Sequence, residues 1–114
     1  MPYGEVQRAT KRASVLLRAM SNERRLLILC HLASGEQSVN RLCSLVGLGQ
    51  SALSQHLAKL RRDGLVQTRR CAQQVYYSVA CAEVSHLLDA LREICCTQSR
   101  DERPADPGPR HTSL

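Results

Sequence analysis

The chain has 114 residues, a formal charge of +6 and neither tryptophan nor phenylalanine, which suits one domain with a core of Leu, Val, Ile and Ala. Its longest unbroken apolar run, Leu26 to Cys30, is far too short to span a bilayer, and the basic N-terminus lacks the apolar segment of a secretion signal, so a cytoplasmic protein is expected. Six cysteines without any CxxC pair, in a reducing compartment, argue against both a disulfide framework and a zinc knuckle.

The first helix is expected over Val6 to Met20, with Val15, Leu16, Ala19 and Met20 at helical spacing and cations opposite. Ser21-Asn22 then caps a second helix, Glu23 to Ala33, which stops at Gly35 and whose apolar face holds Leu26, Leu29, Cys30 and Ala33. Ser38 caps a short third helix with Val39, Leu42, Leu45 and Val46 turned inward. Gly47 to Gly49 makes a tight turn, and a fourth helix runs from Gln50 to Arg62 before Asp63-Gly64 ends it. Leu65 to Arg70 and the alternating run Gln74 to Val79 pair as a hairpin, although its turn, Cys71-Ala72-Gln73, lacks the glycine that tight turns favour. A fifth helix, Ala82 to Cys96, carries the stripe Val84, Leu88, Leu91 and Cys95. Residues 97–114 hold three of the four prolines, and Arg100, Arg103 and Arg110 cancel Asp101, Glu102 and Asp106. With so little apolar content this tail should be disordered, leaving residues 1–96 as the folded domain. The fold class is therefore mainly α with a small β-hairpin, in the order of a winged helix-turn-helix.

Two basic segments stand out: Arg8 to Arg25, with six cations against Glu23, and Lys59 to Arg70, with five against Asp63. Such runs most often mark a solvated helix face, so charge alone decides little. The stretch "SVNRLCSLVGLGQSALSQHLAKLRRDGLV" adds the missing pattern. On its second helix Ala52, Leu53, Leu57 and Leu60 can face the core, leaving Gln50, Ser51, Ser54, Gln55 and His56 outward. These neutral hydrogen-bonding side chains suit base edges in the major groove of double-stranded DNA. Lys59, Arg61 and Arg62 follow where backbone phosphates would run, and Arg69 and Arg70 suit a wing reaching an adjacent groove. A winged helix that binds protein instead of DNA is the alternative. No Ser/His/Asp arrangement, phosphate-cradling glycine loop or carboxylate pair points to an enzyme, and no bound cofactor is implied.

The segments "AMSNERRLLILCHL", "LGQSALSQHLAKLRRDGLV" and "QQVYYSV" together resemble the ArsR/SmtB family of winged-helix repressors, over residues 13–96. The likeness is to its persulfide- and thiol-sensing branch, the BigR, SqrR and HlyU type. It implies a homodimer built from the first and last helices, an inverted-repeat operator near or over a promoter, and DNA affinity that falls on signal binding or oxidation. Gly49 departs from the serine usual at the recognition-helix cap, and Cys81 from the usual Ser or Asp before the last helix. The family's metal sites need ligand sets absent here. Cys43 has no partner at Cys-x-Cys spacing, and His86 lacks both the Asp two residues before it and a second His two turns on, so no zinc or other metal site is expected.

Six thiols remain to be placed. Cys95 continues the stripe through Leu91 and Leu88 and is expected to be buried packing. Cys96 is turned about 100° away, over Arg92 and Asp89, where an oxidant can reach it. Cys30 alone reads equally well as a small core residue or as a sensor. The resemblance implies the pairing, because a cysteine in "LLILC" and one ending the last helix face each other in the thiol-sensing branch. These match Cys30 and Cys96, which become the expected redox switch. Cys43, Cys71 and Cys81 are expected to be inert. The competing assignment is an arsenite-like ion held by the vicinal Cys95 and Cys96, which lacks a third thiolate.

Overall fold

Short polar side chains set the helix starts. In the computed structural model, which describes residues 3–105, the order is α1 (Tyr3–Met20), α2 (Glu23–Ala33), β1 (Gln37–Ser38), α3 (Val39–Val46), α4 (Gln50–Arg62), β2 (Val66–Cys71), β3 (Gln74–Val79) and α5 (Ala82–Ala105). Asn22 caps α2 by accepting a hydrogen bond from the Arg25 N–H (3.0 Å), and Ser38 caps α3 by accepting from the Arg41 N–H (3.1 Å). Gly47 ends α3 in the left-handed region at φ 75°, which a residue without Cβ adopts freely. Gly49, at the cap of α4, supplies no side-chain bond.

The elements differ from the sequence expectation at several points. The first hairpin strand is Val66–Cys71 and not Leu65 to Arg70, because Cys71 still pairs with Gln74. The first helix begins at Tyr3 rather than Val6. The hairpin gains a third strand, β1, giving an antiparallel sheet in the order β1-β3-β2. And α5 continues past Cys96 to Ala105, because Gln98, Arg100, Glu102 and Arg103 are tolerable helix formers and no glycine intervenes before Pro104. The rest of the expected disordered tail, 106–114, lies outside the described residues.

The core gathers Leu16, Ala19 and Met20 of α1 with Ile28, Leu29 and Leu32 of α2. Leu42 and Val46 of α3, Leu53, Leu57 and Leu60 of α4, Leu65, Val66, and Val84 and Leu88 of α5 complete it. Each of the Leu, Ile, Val and Met side chains among them stabilises the fold by about 1.5–3 kcal/mol relative to an exposed position. Ala52, expected inward, is exposed, as are Cys30 and Cys95. Cys95 lies beyond Leu88, the last buried residue among residues 82–96 of α5, and Leu91 between them is 40% exposed.

Part of the N-terminal basic cluster is structural. The Arg25 side chain donates to the Ala19 carbonyl (2.7 Å) and Arg24 to the Val46 carbonyl (2.9 Å), each at a helix C-terminus where orphan acceptors await a cation. No helix among the described residues is long and apolar enough to cross a membrane.

Candidate functional site

The turn between α3 and α4 sets the exposed face. With Leu53, Leu57 and Leu60 fully buried, the helical period leaves Gln50, Ser51, Ser54 and Gln55 in solvent on the first two turns of α4. Gln50 is steadied by donating to Asn40 Oδ1 of α3 (3.4 Å), a partner sequence spacing did not single out. His56 is half-buried. Burial, and then the charges of Arg25 and Arg24, lower its pKa, so the ring is neutral at neutral pH and can both donate and accept.

Cations flank this face. Arg61 and Arg62 are exposed at the end of α4, while Lys59 is half-buried and pairs with Asp63 at 3.4 Å. An i,i+4 pair of that kind contributes only a few tenths of a kcal/mol, so a phosphate can displace the carboxylate. Arg70 is exposed on β2 near the wing tip. Arg69 is engaged within the chain. Its Nε and Nη2 donate to both oxygens of Glu36 (2.9 and 2.7 Å), and its guanidinium stands 4.8 Å over the ring of Tyr76. These hydrogen bonds hold the Glu36 carboxyl below its usual range and raise the already high pKa of Arg69. Glu36 and Tyr76 went unnoticed in the sequence because Glu36 is 33 residues from its partner.

The cysteines separate by element. Cys30, Cys71, Cys95 and Cys96 are exposed free thiols, and Cys43 and Cys81 are half-buried. Helices α2 and α5 pack together, which brings α5 groups into electrostatic reach of Cys30. Burial pushes the Cys30 thiol up, Arg92 pulls it down, and the charge of Cys96 pushes it up again. Arg92 also pairs loosely with Asp89 (3.8 Å). Cys81, just before α5, accepts a long hydrogen bond from Arg12 (3.7 Å). Among the described residues no group of three or more His, Cys, Asp or Glu side chains gathers to hold a metal ion.

Known proteins share both sequence and fold. The family model described as "Bacterial regulatory protein, arsR family" matches residues 22–68. The transcriptional activator HlyU of Vibrio cholerae is 52% identical over 96 residues, covering 84% of this chain and 89% of the relative. The biofilm growth-associated repressor of Xylella fastidiosa is 38% identical over 100 residues, 88% of each chain. The structure of reduced HlyU from V. cholerae superposes with a TM-score of 0.77 at 52% identity, covering 81% of this chain and 97% of that one. With an exposed polar recognition helix, a basic flank and a wing on the scaffold of these relatives, the chain belongs to the ArsR family of bacterial winged-helix DNA-binding transcriptional regulators, and it is not an enzyme.

Proposed function

We propose that the chain is a homodimeric repressor that occupies an inverted-repeat operator and releases it when Cys30 and Cys96 become linked. The observation that carries the switch is the placement of Cys96 and Arg92 within electrostatic reach of Cys30, across the contact of α2 with α5. Both thiols are exposed; Cys96, at the end of the last helix, meets the oxidant and Cys30, whose thiol partial burial pushes up and Arg92 pulls down, resolves it. Peroxide converts the Cys96 thiol to a sulfenic acid, and attack by Cys30 expels water and forms the disulfide. A persulfide donor passes its outer sulfur to Cys96 and leaves as a thiol, and a second donor does the same at Cys30. Attack of one protein persulfide on the other then expels hydrogen sulfide and leaves a trisulfide link.

On the DNA side, Gln50, Ser51, Ser54, Gln55 and His56 read base edges, Lys59, Arg61 and Arg62 hold phosphates, and Arg69 and Arg70 belong to the wing. The dimer is formed by α1 and α5, which leave Leu17, Leu91 and Ile94 in solvent on the single chain. A link between α2 and α5 moves α5 and so respaces the two recognition helices. A coupling of about 1–3 kcal/mol suffices for a switch. Relatives named as activator and as repressor share this scaffold. The sign of regulation then follows from where the operator lies, and occupancy over a promoter represses.

The test is operator release by polysulfide or peroxide, followed by fluorescence anisotropy and mass spectrometry. Cys30→Ser and Cys96→Ser should bind DNA as the wild type does and fail to release it, while Cys95→Ser responds normally. Loss of the response in Cys95→Ser with Cys30→Ser still responding would replace this reading with arsenite-like sensing at Cys95 and Cys96.

A further inference from the structure

We infer that Arg69 is a positioning residue that locks the wing to the start of the helix-turn-helix, and that Arg70 alone supplies the wing's phosphate contact. The inference rests on DNA binding by this family and is independent of the thiol switch.

The sheet explains the lock. Strand β3 lies in the middle, with Ser38 of β1 paired to Tyr76 on one side and Arg69 of β2 paired to Tyr76 on the other. Arg69 therefore crosses the central strand over the Tyr76 ring and reaches Glu36, the residue immediately before β1. One side chain ties all three strands. The tie ends next to Ser38, whose hydroxyl caps α3. Wing and helix-turn-helix are thus held in one frame before any DNA arrives, which lowers the ordering cost of binding.

The geometry also consumes the guanidinium. A two-bond fork to a carboxylate together with a stacked ring uses Arg69's planar, directional donors, and lysine lacks both features. The side chain of Arg69 keeps 54% of its surface exposed and that of Glu36 34%, so the pair is accessible yet already engaged. Arg70, the next residue, alternates to the opposite face of β2 and no protein partner of its side chain is seen among the described residues.

Salt titrations on a labelled duplex of about 30 base pairs, roughly three helical turns, separate an anchor from a phosphate ligand. The duplex is recovered by wild-type selection from a random pool, and reductant is present throughout so that no thiol chemistry enters. Removing one neutralised phosphate lowers the slope of log affinity against log salt by about 0.9. Arg70→Ala should lower that slope by about this amount. Arg69→Lys and Arg69→Ala should weaken binding about two- to fivefold at unchanged slope, in keeping with one exposed ion pair.

Glu36→Gln gives the sharpest outcome. It raises the net charge by one, so simple electrostatics predicts tighter DNA binding, whereas loss of an anchor weakens it about as much as Arg69→Lys does. Wild-type affinity in Arg69→Lys, a lowered slope in Arg69→Ala, or tighter binding in Glu36→Gln would overturn the assignment. Failure of the wild type to select any duplex would instead count against DNA recognition by this chain.

Discussion

Ala72 sits at φ 56° in the two-residue turn between the paired Cys71 and Gln74, in the left-handed region that costs a Cβ-bearing residue about 1–2 kcal/mol. Glycine escapes that penalty but loses more chain entropy on folding, about 0.5–1 kcal/mol. Ala72→Gly should therefore stabilise the protein by about 0.5–1 kcal/mol and raise Tm by a few degrees in a thermal melt; a lower Tm would show that the turn relaxes around alanine. The absence of glycine in this turn was legible in the sequence, and the strain at Ala72 follows from it. The neighbouring thiols show the opposite case. Helical periodicity puts Cys95 and Cys96 on different faces and expects Cys95 in the core, yet both are exposed. Which face is buried depends on how far the neighbouring elements reach, and no residue on α5 encodes that.

Helix α4 divides its outer surface by position. Early residues have short, neutral side chains, and the last turn carries Lys59, Arg61 and Arg62. Gln55→Ala should cost on the order of 1–3 kcal/mol at the selected site and relax sequence preference, while Arg62→Ala should weaken selected and random duplexes alike. Equal losses on both duplexes for both variants would refute this division of the helix. The helices themselves were readable because caps at Asn22 and Ser38, the stop at Gly47 and the apolar period are all local signals. Strand β1 was not readable. Two residues cannot display a period of two, and Gln37–Ser38 is a strand only because Tyr76 and Tyr77 lie beside it.

At the scale of the molecule, α1 and α5 are incompletely covered by the single chain. Leu17 is 58% exposed, Ile94 55% and Leu91 40%, while their neighbours Leu16, Val84 and Leu88 close the core. The stripe expected to join two subunits is thus shared, its first half inside the protomer and its second half outside. Light scattering at micromolar concentration should give a dimer. Leu17→Glu with Ile94→Glu should shift it to monomer and weaken operator binding at least about tenfold, since burial of each apolar side chain amounts to about 1.5–3 kcal/mol. A monomeric wild type would exclude the dimer. The family, the winged helix-turn-helix order and the polar face of α4 were determined by the sequence, because capping, periodicity and local charge act over a few residues. Tertiary structure alone decided that Arg69 spends its fork on Glu36 and that Arg24 and Arg25 hold helix ends. Each of those contacts joins residues whose pairing depends on how the helices and strands pack, and packing is a property of the whole chain.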